Sequence, residues 1–549
     1  MSRESGPQAP QAPPRIYLDI DAAMRRGDTD AAIRMARQAL DRGLRHPVIF
    51  NLRAYWHETN GRYAAACADL EQALALSPGD SRLLNELGRC RSGNGDYAKA
   101  VEACRAATAR EPEFAPAHYN MGFALEQLGE LDLAWEAYQR SRTLDPGLVD
   151  ATARLAGLAA RRGDRAEARA LAEQVLARDP RHAVAVFSHV MADLAEGNFA
   201  EAERRARAVA ADPATAAQAR ISAMNFVADA LDGQGRPDEA FALYAEANRE
   251  LKALFRNRYE GSGRETGRQI AQRLAREFDA LPAQSWTPPA SPHPRVGDAA
   301  GFVFLMGFPR AGTTLLGQIL AGHPQVVTIE EKPLLGAALT EFILKPGGLS
   351  RLAALPEDEI RAQRELFWRA IRNETESTAG KLIVDQTPLN SLHLPVIAKL
   401  LPEAKAVFAL RDPRDVVLSC FRRLFGLNAY VYEFLSLDGT ASFYDETMRL
   451  AARYRDRLAL PVLEVRNEDV VADFRKQARA LCDFLGLEYD AAMQEFAAAA
   501  RSRRIATPSA MQVTRGISSE GIGHWRAYEK HLAGVMPIIA PWVERFGYA

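Results

Sequence analysis

From Ile16 to residue 256, apolar positions recur at the three-to-four spacing of amphipathic helices, and the pattern restarts at a fixed interval. Stretches such as SRLLNELGRCRSG and DYAKAVEACRAATAREP each put their apolar residues on one helical face. Gly27, Gly61, Gly95, Gly129, Gly163 and Gly197 fall 34 residues apart; Pro78, Pro112, Pro146 and Pro180 keep the same interval, and Pro213 misses it by one. The pattern predicts a helix, a glycine turn, a second helix and a proline stop, repeated. Gly88, Gly122 and Ala156 hold equivalent first-helix positions, where neighbouring helices approach closely. About six such units are legible, with a looser one around Gly233–Gly235.

Past residue 256 the periodicity changes. Residues 257–299 read as a linker, helical over RETGRQIAQRLAREFDAL and extended over the proline-rich QSWTPPASPHPRVGD. From residue 300 to 549, short apolar runs at 302–306, 381–385, 404–410 and 462–465 read as strands. Helical patterns such as RDVVLSCFRRLF and FRKQARALCDFLGL separate them. This alternation predicts an α/β three-layer domain of P-loop-like type around a mostly parallel sheet, whose ligands bind at the carboxyl ends of its strands. The N-terminal array resembles tetratricopeptide repeats, stacked helix pairs that form an α solenoid. Such a solenoid can hold a peptide or partner on its concave face, or serve as a spacer or dimerisation module.

Composition adds limits. At 549 residues the chain exceeds one ordinary core, and its formal net charge of −1 gives no global attraction to nucleic acid or membrane surfaces. Five cysteines without metal-ligand spacing read as reduced, packed thiols. No metal site is evident. The start, residues 1–15, is polar, proline-rich and expected to be disordered; without an apolar signal core, a cytoplasmic location is expected.

The chemistry concentrates in FVFLMGFPRAGTT, Phe302 to Thr314. A strand empties through a glycine-rich turn into a helix start, where unpaired backbone N–H groups and the helix dipole favour an anion. The spacing copies a nucleotide P-loop, but Thr313 stands where a Walker loop needs lysine, and the positive charge lies within the loop on Arg310. An ordinary ATPase, GTPase or kinase is disfavoured. A second strand-turn-helix, AVFALRDPRDVVLSCFRRLF, offers Arg411 and Ser419 to a further phosphate, with Arg423 one turn beyond.

GFPRAGTTLL followed by RDPRDVVLS resembles the two nucleotide loops of sulfotransferases that use 3′-phosphoadenosine 5′-phosphosulfate. The motifs are similar to those of tyrosylprotein sulfotransferases and of bacterial proteins that join tetratricopeptide repeats to such a domain. The resemblance implies that Arg310, Ala311, Gly312, Thr313 and Thr314 hold the 5′-phosphosulfate, and that Arg411, Ser419 and Arg423 hold the 3′-phosphate. It marks Glu331, the second of Glu330-Glu331, as the base, with Arg310 stabilising developing charge. Gln386 falls where the family has lysine, so the cation there is missing, with Lys332 a substitute; Asn467 replaces a family tyrosine. In TPSAMQVTRGISSEGIGHWRAYEKHL, Ser509 matches a position near the sulfate, while Gln512 and Arg515 match nucleotide contacts. The implied reaction is sulfuryl transfer to a hydroxyl without a metal, the acceptor being a protein tyrosine held by the repeats. A glycan or small-molecule hydroxyl, and an inactive nucleotide-binding scaffold whose repeats bind a partner, stay open.

Overall fold

A computed structural model describes residues 15–261, 263–287, 297–497 and 516–548. Residues 1–14 of the start expected to be disordered over 1–15, and most of the expected extended connector, lie outside the described residues, while Arg15 opens the helix Arg15–Arg25. The chain divides into two compact units, one of residues 1–159 with 166–185, the other of 160–165 with 186–549.

The first unit is built from helix pairs that follow the sequence period. Ser81–Asn94 and Tyr97–Arg110 show the pattern. Asp80 caps the first helix by accepting from the amides of Arg82 and Leu83 at 2.9 and 3.1 Å. Gly95, at φ 86°, ends it in a left-handed conformation that a side chain would strain. The small first-helix residues do what their spacing predicts: a Cβ on Gly88 would lie 2.4 Å from Cys104 Sγ, and one on Gly122 would lie 2.8 Å from the Tyr138 ring. All five cysteines of the chain are free and buried.

The second unit opens with the last helices of the array, including Phe199–Ala211, Ala217–Gly233 and Pro237–Tyr259. The helix expected in the linker forms at Gly267–Asp279 and buries Ile270, Ala271, Leu274 and Phe278 in the core of the α/β part. Five parallel strands follow: β1 Gly301–Gly307, β2 Val326–Glu330, β3 Leu382–Gln386, β4 Lys405–Leu410 and β5 Val462–Arg466, in the order β2-β3-β1-β4-β5. Successive residues Val303 to Met306 of the central β1 are buried, so both faces of the sheet are covered. Strand β2 is an addition to the four that the apolar runs predict. It is a short edge strand, half-buried, and its VVTIE lacks the continuous apolar run of the central strands.

Candidate functional site

All five strands point their carboxyl ends the same way, so the residues that leave them form one rim. Strand β1 ends at Gly307 and passes through residues 308–312 into the helix Thr313–Ala321. Gly312, at φ 102°, precedes that helix, and a Cβ there would lie 2.7 Å from Asn467 Oδ1 at the end of β5. Thr313 and Thr314 are buried in the helix's first turn, whose amides have no intrahelical acceptor. A cleft opens here, lined by Arg310, Gly312, Thr313, Thr314, Leu315, Arg411, Asn467, Gly516, Ser518 and Glu520.

Among the described residues, only two other than glycine have positive φ: Arg310 at 70° and Glu331 at 49°. Such backbone is disfavoured for residues with a Cβ and persists where surrounding structure over-determines it. Arg310 donates from Nε to Ser419 Oγ at 3.0 Å, and its own carbonyl accepts from Arg411 Nη1 at 3.2 Å. Arg411 also donates to the Gly521 carbonyl at 2.5 Å, while its Nε is buried without a partner. Burial, then the positive charges of Arg423, Arg411 and Arg422, lower the Arg310 guanidinium to about 9. It stays protonated at neutral pH, in surroundings that favour an anion.

Glu331 follows the edge strand β2, its amide donating to the Gln386 carbonyl at 2.9 Å. The residue reaches solvent, yet the protein crowded around it desolvates its carboxyl and raises it above the usual carboxylate range. Exposure keeps that effect moderate. Glu330 accepts from Gln318, and Lys332 lies 3.7 Å from Glu374. Gln386 is buried completely, and neither side-chain amide atom has a hydrogen-bond partner. A Cβ on Gly317 would lie 1.6 Å from its Oε1, so the amide is pressed against the helix that follows the loop. Beside it in β3, Asp385 is buried, accepts from Thr387 at 2.7 Å, and is raised to about 7 by desolvation, against the effect of that bond.

The structure therefore brings Arg310, Gly312, Thr313, Thr314 and Arg411 into one cleft, with Ser419 joined through Arg310. Ala311 is buried within the loop rather than on the cleft wall. Arg423 is exposed and pairs with Asp229 at 3.4 Å, while still repelling Arg310. Ser509, Gln512 and Arg515 lie outside the described residues. His323 fixes a turn: Nδ1 accepts from the Gln325 amide at 3.1 Å, which leaves the Nε2 proton for the Glu488 carbonyl at 2.9 Å. Ser518 and Glu520 are cleft residues that motif reading passed over, although the SSEG run one residue after Arg515-Gly516 was a signal. Among the described residues no group of three or more His, Cys, Asp or Glu is placed to hold a metal.

Residues 303–491 match the model of the Sulfotransferase family, and residues 17–81 and 85–149 match a Tetratricopeptide repeat model. The chain thus joins a tetratricopeptide-repeat solenoid to a sulfotransferase-family domain. It is 24% identical over 346 residues to an "Uncharacterized protein" of Aquifex aeolicus (60% of this chain, 42% of the relative). It is 35% identical over 127 residues to "Nodulation protein NoeE" of Sinorhizobium fredii (21% and 30%). A "Putative protein-tyrosine sulfotransferase" of Caenorhabditis briggsae is 24% identical over 261 residues (45% and 88%). The chain thus spans less than half the length of the first two relatives. Among solved structures, a tetratricopeptide repeat protein from Parabacteroides merdae is 17% identical, covering 41% of this chain and 90% of that one, at a TM-score of 0.31. The pilus biogenesis factor PilW is also 17% identical, covering 38% and 98%, at a TM-score of 0.32.

Proposed function

We propose that the chain transfers the sulfuryl group of 3′-phosphoadenosine 5′-phosphosulfate to a hydroxyl, most plainly a tyrosine of a protein held by the repeats. The observation that carries this reading is the pair of strained residues, Arg310 and Glu331, one in the anion-binding loop and the other at the end of the edge strand of the same sheet. The sulfotransferase-family match over 303–491 and the similarity to the Caenorhabditis briggsae protein support the donor and the acceptor class.

In this mechanism the acceptor oxygen attacks sulfur in line with the bond to the 5′-phosphate. That sulfur–oxygen bond breaks, 3′-phosphoadenosine 5′-phosphate leaves, and the acceptor proton passes to Glu331. A carboxylate raised by partial desolvation is a better base than a fully solvated one. Arg310 and the first-turn amides of Thr313–Ala321 meet the charge that builds on the transferring group and the leaving phosphate. Arg411, with Ser419 nearby, takes the 3′-phosphate. Ser509, Gln512 and Arg515 complete the nucleotide contacts in this reading, and no metal is invoked.

The test is transfer from labelled donor to a panel of tyrosine peptides, glycans and phenols. Labelled peptide supports the whole reading; labelled glycan or phenol keeps the chemistry and replaces the acceptor. Tight binding of 3′-phosphoadenosine 5′-phosphate without any transfer would favour a second reading, an inactive nucleotide-binding scaffold. The feature in its favour is Gln386, an uncharged, unpartnered amide at the family's lysine position.

A further inference from the structure

The helix Pro413–Arg422 begins just past Arg411 and carries Ser419, which accepts from Arg310, so its placement bears on the two arginines of the donor cleft. Its far end is held by the last helix pair of the repeat array. The buried Asn248 donates to the Phe421 carbonyl at 2.7 Å, and Asn225 donates to the Arg422 carbonyl at 3.0 Å. These are terminal helix carbonyls that would otherwise lack partners. The Arg422 guanidinium pairs with Asp232 and lies over the rings of Tyr244 and Tyr528, at 5.2 and 5.4 Å.

Asp232 also receives a third element. His524 Nε2 lies 3.1 Å and the Tyr528 hydroxyl 2.5 Å from its Oδ1. These residues belong to the segment after Gly516, whose Gly516, Ser518 and Glu520 line the cleft and whose Gly521 carbonyl accepts from Arg411. The same segment is tied to the cofactor-loop helix by Asp415, which accepts from the Gly523 and Trp525 amides at 2.7 and 2.8 Å. One carboxylate of the repeat array thus joins the helix behind Ser419 to the strand of chain in front of Arg411.

We infer that the hairpin Ala217–Tyr259 is a working part of the donor site, and that Asp232 is a positioning residue for donor binding through Arg422, His524 and Tyr528. This rests on the donor assignment made above. Removing the charge takes from the half-buried Arg422 the carboxylate it pairs with and releases the segment that lines the cleft. The acceptor base Glu331, beyond the far edge of the sheet, keeps its own supports.

The experiment measures 3′-phosphoadenosine 5′-phosphate affinity by calorimetry, and donor KM, acceptor KM and kcat, for full-length Asp232→Asn, Tyr528→Phe and Asp238→Asn. Asp238 forms an exposed ion pair with Lys530 and lies 2.8 Å from His531 Nε2, joining the same hairpin to the same segment, so it controls for docking alone. Asp232→Asn should weaken nucleotide binding and raise donor KM by about tenfold, Tyr528→Phe by a few-fold, with acceptor KM unchanged and Asp238→Asn matching the parent. If Asp232→Asn does not fold, Tyr528→Phe, which removes one hydroxyl, decides. Parent-like nucleotide affinity in a folded Asp232→Asn, or an equal loss in Asp238→Asn, would overturn the inference alone. No binding by the unsubstituted protein would overturn the donor assignment and this inference together.

Discussion

Replacing Arg310 with glycine should make the ligand-free protein more stable and destroy its affinity for the donor. Two costs disappear. A left-handed residue with a side chain costs roughly 1–2 kcal/mol, and φ 70° suits glycine. The guanidinium is also held at about 9, below its usual 12.5, by burial and three neighbouring arginines. Taken in full, that shift corresponds to about 5 kcal/mol. Solvent reaches the residue, so roughly 2 kcal/mol is the working figure. A lowered basic pKa disfavours the folded state at every pH below about 9 and ceases to do so only as pH rises past that value, so the full effect is present at neutrality. Against this stand the hydrogen bond to Ser419, roughly 1 kcal/mol, and the greater freedom of an unfolded glycine, a similar amount. The balance is a gain of about 1–2 kcal/mol. Urea unfolding with and without 3′-phosphoadenosine 5′-phosphate measures both halves. The parent should be strongly stabilised by the nucleotide and the variant hardly at all. A variant that is less stable without ligand, yet stabilised by nucleotide like the parent, would refute the reasoning.

Three more outcomes are expected. Glu331→Gln should lower kcat by roughly a hundredfold or more with nucleotide affinity unchanged, and in the parent kcat should rise with pH through a value above the ordinary carboxylate range; unaltered turnover moves the base elsewhere. Arg411→Ala should weaken 3′-phosphoadenosine 5′-phosphate by about 10–100-fold, and adenosine 5′-phosphosulfate far less, in a direct binding assay; equal losses would deny Arg411 the 3′-phosphate. Asp385 binds a proton more tightly folded than unfolded, so its penalty grows as pH rises from about 4 to about 7 and is constant above. Asp385→Asn should therefore raise the free energy of unfolding at about pH 8, by up to about 4 kcal/mol, and leave it unchanged near pH 4, as urea titrations at the two pH values would show; a gain independent of pH would point to packing instead.

The large-scale plan was legible because it repeats or follows a hydrophobic period: the 34-residue glycine interval and the buried run Phe302–Met306 map directly onto helix pairs and β1. Strand β2 escaped because an edge strand that buries only Val326 and Ile329 of its five residues needs no apolar run. That Arg310, Arg411 and Ser419 come together was readable from their motifs. Their tension was not: nothing in GFPRAGTT says that the arginine, and not only a glycine, takes positive φ. Asp232 was invisible for another reason. Its partners lie 190 to 296 residues away, and its local sequence LDGQG looks like an ordinary turn. Lys332, a substitute cation by position, lies 3.7 Å from the Glu374 carboxylate.

Repeat arrays ordinarily evolve by gaining, losing or exchanging units, because each unit touches only its neighbours. The hairpin that offers Asn225, Asp229, Asp232 and Asn248 to the α/β core has lost that liberty. Any unit exchanged into its place would have to supply two amides and two carboxylates at matching positions. Variation in the number of units then falls on the upstream repeats, which make none of these contacts. The last hairpin is the fixed joint of an otherwise interchangeable series.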